Sequence, residues 1–403
     1  MWPSAPTIQF CTLCGKIRVS LLAKGESSVR LCYTLLSPTF GMHQYTADLA
    51  NRAARAGHEV HLITSTRYPA DRYLPEIQVH TPITTHNTGF SLTELRRSPH
   101  AARIIDTTIR GIAPDVVHFT GPHLWNPTLL KMLRRDAIPT VHTLHDLDPH
   151  PGTVYGPLLH IWNRNVLRCA DHILIHAQCY HQRLQAHGIA PARLTCTPLL
   201  HLFLGHTWLD EVEALAAEVS YAPEVLFFGR LESYKGIDAL MTAWAMMESR
   251  HKGEDGPRLI LAGPGRLERI WAGPLPDGVE LRNRLIEDAE ALELFRRCSL
   301  IVLPYTGATQ SALVPAAYFF RKPVMVSRSG ALEEYVEEGL TGWVVEPEHP
   351  ASLARCLDAA LADPAALIAM GTTGRIWYEA RRKAEGQALL GMYEQLANGQ
   401  AAP

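Results

Sequence analysis

No uncharged apolar run in this chain reaches the roughly 20 residues needed to cross a bilayer, so any membrane contact it makes is expected to be peripheral. An excess of one charge is missing too. Its 38 Lys and Arg stand against 40 Asp and Glu, a net charge of -2, which gives no footprint for nucleic acid. A disulfide framework is absent: the eight cysteines are scattered, and Cys32, Cys169, Cys298 and Cys356 lie in apolar contexts that suit reduced thiols and a cytoplasmic setting. Cys11 and Cys14 form a lone C-x-x-C with no second ligand pair, so no zinc site is expected. Residues 1–28 lack a secretory pattern, because Lys16, Arg18 and Lys24 follow their apolar residues instead of leading them. The stretch reads as an appended tail or a misassigned start. Finally, Gly263-Pro-Gly265 lacks the third glycine of a dinucleotide fingerprint and has Glu268 there, which argues against a nicotinamide cofactor.

What is present is alternation. At 403 residues, 47% of them hydrophobic, the chain is long enough for two cores. Strands are expected at 29–36, 58–64, 116–119, 140–144 and 172–176, with helices at 42–56, 92–111, 126–135, 154–169 and 178–187 between them. After a poorly periodic break at 190–211 a second series follows. It has strands at 224–228, 258–262, 279–281, 299–303 and 323–326 and helices at 236–249, 288–297, 311–320 and 350–362. This is α/β: two doubly wound parallel sheets whose switch-point crevices can face one cleft. The expected division is 1–28 an extension, 29–200 and 201–373 the two domains, and 374–403 a helical tail that packs back across the first domain.

The most informative stretch is Phe227-Phe-Gly-Arg-Leu-Glu-Ser-Tyr-Lys-Gly236. An apolar strand ends at Phe228, Gly229 opens a turn, and Gly236 begins an amphipathic helix through Ile237, Leu240, Met241 and Trp244. Arg230 and Lys235 thus converge beside a helix N-terminus on an exposed turn. A planar guanidinium, a mobile ammonium and orphan N–H groups together suit a diphosphate. Two solvated surface charges would be the plainer reading of that pair alone.

Other elements are weaker singly. Gly41 lies in the first strand-to-helix turn, where a backbone could approach a ligand closely. Thr309, Gln310 and Ser311 precede a helix and can serve as caps or as donors to an anion. Glu333 and Glu334 occupy another first helical turn, where they could equally serve the dipole alone. Among twenty histidines, His142, His145 and His150 cluster with Asp146 and Asp148. Their spacing is not that of a helical ligand pair, and a polar loop facing substrate is favoured over a metal site.

In order along the chain, Gly41-Met-His-Gln-Tyr, Gly57-His-Glu-Val60, Pro114-Asp-Val-Val-His118, His142 to His150, Phe228-Gly-Arg with Lys235-Gly236, Leu261-Ala-Gly-Pro-Gly265, Leu303-Pro-Tyr305, Lys322-Pro-Val324, Gly330-Ala-Leu-Glu-Glu334 and Gly339-Leu-Thr-Gly342 resemble the retaining glycosyltransferases of family four. The resemblance runs from about Val29 to Asp363. It implies the GT-B fold of two facing Rossmann-like domains and transfer of a hexose-type sugar from a nucleotide diphosphate sugar to a glycan, lipid-linked or small-molecule acceptor. No cofactor and no metal is implied. Arg230 and Lys235 would bind the donor diphosphate, Gly41 and Gly229 would lie in the ligand loops, and His145 would lie beside the transferred sugar. The enzyme would be cytoplasmic, with any membrane contact at the inner face.

Three departures stand out. Phe40-Gly41 replaces a double glycine, and Ala308 and Ala316 replace a pair of glutamates of which the second normally holds the ribose. Ala308-Thr-Gln-Ser-Ala312 looks like a branch with Ala-Thr-Gln-Ser-Gly there, its glycine changed to alanine. Donor recognition is then left to Thr309, Gln310, Ser311 and Glu334. These departures keep two other readings open: a non-catalytic member of the fold that binds a nucleotide sugar or a partner, and a nucleotide-sugar epimerase.

Overall fold

A computed structural model describes residues 28–85, 92–148, 156–208, 211–248, 256–307 and 310–399. Cys11, Cys14, His150, Ala308 and Thr309 lie outside the described residues. The first half runs β1 Arg30–Leu35, α1 Phe40–Arg55, β2 Glu59–Ser65, β3 Gln78–Ile83, α2 Leu92–Ile112, β4 Val116–Phe119, α3 Asn126–Arg135, β5 Thr140–Thr143, α4 Gly156–Cys169, β6 His172–Ile175, α5 Gln178–Ala186 and β7 Leu194–Cys196. The second runs α6 Val212–Ala217, β8 Glu224–Phe228, α7 Ile237–Met246, β9 Arg258–Ala262, β10 Val279–Arg282, α8 Asp288–Arg297, β11 Leu300–Leu303, α9 Leu313–Phe319, β12 Val324–Ser327, β13 Gly342–Val345, α10 Pro350–Ala362 and α11 Pro364–Ala397.

All strand pairs are parallel, in the orders β3-β2-β1-β4-β5-β6-β7 and β10-β9-β8-β11-β12-β13. Helices cover both faces of each sheet, which is why the central strands are apolar without alternation. β4, β5, β6, β11 and β12 are buried from end to end. The strand order reverses between β1 and β4 and between β8 and β11, so the ligand crevices open at the carboxyl ends of those four strands. The turns that carry Gly41, Gly229 to Gly236 and Gln310 leave these strands.

Strands β3, β7 and β13 were not expected from sequence. β3 is a partly exposed edge rich in polar residues, β7 has three residues, and β13 begins at a glycine. β3 and β7 lack the apolar run that marks the central strands, and in β13 it is only Trp343 to Val345, half-buried at Trp343 and Val344.

The terminal helix starts at Pro364, not near 374, because Asp363 caps it by accepting from the Ala366 N–H at 2.9 Å and Pro364 occupies its first turn. Its first half buries Leu367, Trp377 and Tyr378 in the core of the second sheet. Its second half buries Leu389, Met392, Tyr393 and Leu396 with Leu31, Tyr33 and Val116 of the first. One 34-residue helix thereby belongs to both cores. No helix among the described residues is long and apolar enough to cross a membrane.

Candidate active site

The C-terminal wall is built on the turn after β8. Gly229 has φ +116° and Gly236 has φ +63°, both in the left-handed region where side chains are strained. A Cβ on Gly236 would fall 1.9 Å from the Pro304 carbonyl oxygen. The turn is also tied to the end of β11 by the Thr306 N–H, which donates to the Tyr234 carbonyl at 2.8 Å. Gly263 serves the same packing, since a Cβ there would meet the Gly229 carbonyl oxygen at 2.2 Å. That glycine therefore answers to backbone crowding.

Lys235 is not the exposed, mobile cation expected from sequence. It is 9% exposed, held in the 3-10 turn Ser233–Lys235, with its ammonium 5.1 Å from the centre of the Tyr305 ring. The turn doubles back between Gly229 and Pro304, and this puts the side chain inside. A Cβ on Gly229 would lie 3.0 Å from the Lys235 Nζ, so glycine also leaves room for the ammonium. Its backbone N–H donates to the Glu232 carbonyl at 3.0 Å, but among the described residues the Lys235 ammonium makes no ion pair and no hydrogen bond. Burial, and secondarily the Arg230 charge, push its pKa down from 10.5 to about 8, while Glu232 opposes the shift. Arg230 is exposed and pairs with Glu232 at 2.8 Å.

The opposite wall holds neutral imidazoles. His145 is 8% exposed, and its Nε2 lies 2.9 Å from the Thr120 carbonyl oxygen. A carbonyl only accepts, so Nε2 carries the proton and Nδ1 keeps its lone pair. Burial lowers the His145 pKa, holding the ring neutral. Tyr45 on α1 sits at the centre of the cluster, edge-on to His145, His176 and His201 at 4.9, 5.3 and 5.7 Å. Burial pushes His142 and His176 to about 3 and His201 to about 4. His142 does not line a substrate-facing loop: it is fully buried in β5 and accepts from the Asn126 side chain at 3.0 Å. No cluster of three or more His, Cys, Asp or Glu that could hold a metal occurs among the described residues.

Gln310 joins the two walls. Its Nε2 donates to the His145 carbonyl oxygen at 3.0 Å, and because that partner can only accept, the amide orientation is fixed. Its Oε1 is buried and has no hydrogen-bond partner. Ser311 precedes α9, where its Oγ accepts from the Leu313 N–H at 3.3 Å; the cap position itself is Ala312. Gly41 sits in the first turn of α1, and a Cβ there would meet nothing within 4 Å, so neither packing nor backbone conformation demands glycine. The neighbouring Phe40 ring stacks under the Arg72 guanidinium at 4.7 Å.

Glu334 stands elsewhere than a donor pocket. Its two oxygens accept from the N–H groups of Gln178 and Cys179, at 2.6 and 2.9 Å, and so cap α5 of the other half of the molecule. Next to it Tyr335 donates to the His176 carbonyl and accepts from the Leu199 N–H, both at 2.8 Å. The segment 332–335 is thus a latch between the two halves. Sequence reasoning missed that role, along with Tyr45 and the Thr120 carbonyl. The one signal for Tyr45 is its position four residues after Gly41, one helical turn inward.

The fold and this paired cleft define a GT-B protein. Residues 40–199 match the glycosyl transferase 4-like domain and residues 222–363 match the glycosyl transferases group 1 domain, and the chain is a glycosyltransferase of this GT-B type. It is 27% identical over 362 residues to a D-inositol 3-phosphate glycosyltransferase of Corynebacterium efficiens, covering 82% of this chain and 84% of that protein. Among solved structures, a sucrose-phosphate synthase from Thermosynechococcus elongatus superposes with a TM-score of 0.71 at 18% identity, covering 92% of this chain and 99% of the other. Anabaena HepE, solved with UDP and glucose, gives a TM-score of 0.65 at 17% identity over 90% and 99%.

Proposed function

We propose that the enzyme transfers a hexose-type sugar, with retention, from a nucleotide diphosphate sugar to a glycan, lipid-linked or small-molecule acceptor. The observation that carries this reading is Lys235, a buried ammonium without an anionic partner at the mouth of a switch-point crevice. Leaving such a cation unpaired is costly unless an anion completes the site. The donor diphosphate supplies that charge, and Lys235 with Arg230 stabilises the nucleotide as it leaves.

Retention follows if the acceptor attacks on the face from which the phosphate departs. The acceptor oxygen forms the new bond to the anomeric carbon, the bond to phosphate breaks, and the acceptor proton passes to the leaving phosphate. This needs no side-chain base, in keeping with a site whose glutamate positions are Ala308 and Ala316 and whose Glu334 is engaged as a cap. His145, neutral and fixed by Thr120, lies beside the sugar. Gly41, Gly229, Thr309, Gln310 and Ser311 provide the remaining donor contacts, with the ribose held less firmly than a glutamate would hold it.

UDP-sugars are the first donors to test, because HepE was solved with UDP and glucose. Nucleotide-sugar binding should be measured by calorimetry, followed by product analysis with an acceptor panel that includes inositol phosphate. Released nucleoside diphosphate together with a glycosylated product is the expected result. Binding without turnover would favour the non-catalytic reading that the two alanines support. A protein shown to be folded that binds no nucleotide sugar would remove the donor reading altogether.

A further inference from the structure

The Lys235 ammonium has to stay charged in a buried turn while no anion is bound. Burial and the Arg230 charge both favour loss of its proton. Glu232 opposes them, but its carboxylate lies 2.8 Å from the Arg230 guanidinium, which offsets much of its field. Arg230 and Glu232 are the charged groups that act on Lys235 among the described residues. The neighbouring elements add none. The end of β11 brings Tyr305 and Thr306 against the turn, and α9 brings Leu313. The two titratable side chains here, Tyr234 of the turn and Tyr305, are kept protonated by burial.

The Tyr305 ring supplies what these charges do not. Lys235 Nζ lies over its face, 5.1 Å from the centre and within the roughly 6 Å of a cation–π contact. The face of an aromatic ring is the negative end of its quadrupole, and the attraction is stronger where the cation is desolvated. The ring is also fixed before any ligand arrives. Tyr305 is 3% exposed, and its carbonyl accepts from the Ser327 hydroxyl at the end of β12. The Tyr234 ring meets it edge-on at 6.3 Å, and its own buried hydroxyl lies beside the Ser311 side chain.

We propose that Tyr305 is a positioning residue for Lys235, its ring face holding the ammonium in place and in its charged form for the donor diphosphate. The consequence for donor binding rests on the donor reading above, whereas the action of the ring on the ammonium needs no ligand. If Tyr305 served packing alone, replacing it would lower stability and leave the protonation of Lys235 unchanged.

The test is an NMR titration of the Lys235 side chain in the full chain without ligand, following the Cε–H resonance identified by its loss in Lys235→Ala. Tyr305→Phe keeps the ring and should keep the midpoint. Tyr305→Leu removes the ring and should lower the midpoint by about one pH unit. Arg230 and Glu232 stay in place in both variants, so the difference reports the ring. Calorimetric titration with UDP-glucose then reads the consequence. For a parent midpoint of about 8, affinity should fall by less than about twofold between pH 6 and 7.5 in the parent and in Tyr305→Phe, and by about fourfold in Tyr305→Leu. Tyr305→Met, close to leucine in volume, gives the same comparison if Tyr305→Leu is too unstable to titrate. A midpoint unmoved or raised in the aliphatic variant, or lowered as far in Tyr305→Phe, would overturn the proposal. UDP-glucose binding to none of the folded proteins would overturn the donor reading instead, and the ligand-free midpoints would still decide the role of Tyr305.

Discussion

Lys235 and Lys322 sit in the same half of the molecule, both buried, and burial lowers the pKa of each from 10.5 to about 8. Their surroundings differ. Lys322 follows α9, donates to the Ser220 carbonyl and lies 4.0 Å over the Tyr221 ring, so its charge is met by the fold. Among the described residues the Lys235 ammonium has the Tyr305 ring at 5.1 Å and the field of Glu232 but no hydrogen-bond acceptor. A buried cation satisfied by backbone belongs to the scaffold, whereas one left without an acceptor is a candidate for holding an anion. The opposite wall sharpens the contrast, because its buried histidines are neutral and contribute hydrogen bonds without charge.

The largest effect should come from exchanging the fates of these lysines. Lys235→Ala should lower kcat/KM by about a hundredfold or more, the scale for removing a group that stabilises developing charge, with the melting temperature unchanged or raised. Lys322→Met should do the opposite. It leaves the Ser220 carbonyl without its donor, at a cost of about 1–3 kcal/mol, while turnover per folded molecule stays near that of the parent. Thermal melts beside steady-state kinetics separate the two, and an active Lys235→Ala enzyme would break the comparison.

Arg230 tests whether exposure matters. It already pairs with Glu232 and is open to solvent, so Arg230→Ala should cost about tenfold in kcat/KM, less than Lys235→Ala. A loss equal to that of Lys235 would mean that donor binding buries the guanidinium.

Gln310 should act on the sugar and not on the nucleotide. Its buried Oε1 has no hydrogen-bond partner and can accept from a hydroxyl, and its Nε2 donates to the His145 carbonyl. Gln310→Ala should therefore raise the donor KM by about fivefold to tenfold while nucleoside diphosphate affinity stays constant. Equal weakening of nucleotide and nucleotide-sugar would place the residue on the diphosphate instead.

How much of this was legible depended on whether a role was local. The strands β4, β8 and β9 and the helices α3, α8 and α10 match their expected bounds to the residue, because apolar runs and amphipathic periods are properties of neighbours in sequence. The turn at 229–236 was legible for the same reason. The depth of Lys235 was not: it depends on Pro304 and Tyr305, some seventy positions away, pressing against that turn. Glu334 looked like a ligand or a dipole partner, and only the approach of α5 makes it a cap across the two halves. His145 was read as a histidine beside the transferred sugar, but its neutral, fixed tautomer comes from the carbonyl of Thr120, a backbone group that no motif records.

The smallest effect is on pH, and there the two lysines part once more. If the donor diphosphate is held by the Lys235 ammonium, as proposed, then for a free-enzyme pKa of about 8 the donor dissociation constant should rise about fourfold at pH 8.5 relative to neutral pH. Stability should move the other way. Between about pH 8 and 10.5 the unfolded chain holds protons at both lysines that the folded chain has released, so their contribution to stability increases with pH across that window. Lys235→Arg, whose guanidinium stays charged, should flatten the affinity profile near pH 8 and leave the contribution of Lys322 to the stability profile in place. Lys322→Met should remove that contribution and leave the affinity profile as it was. Calorimetric donor titrations and thermal melts over pH 7 to about 9.5 read both quantities on the same samples. An affinity break near pH 8 that survives Lys235→Arg would assign the titrating group to another residue and undo the role given to Lys235.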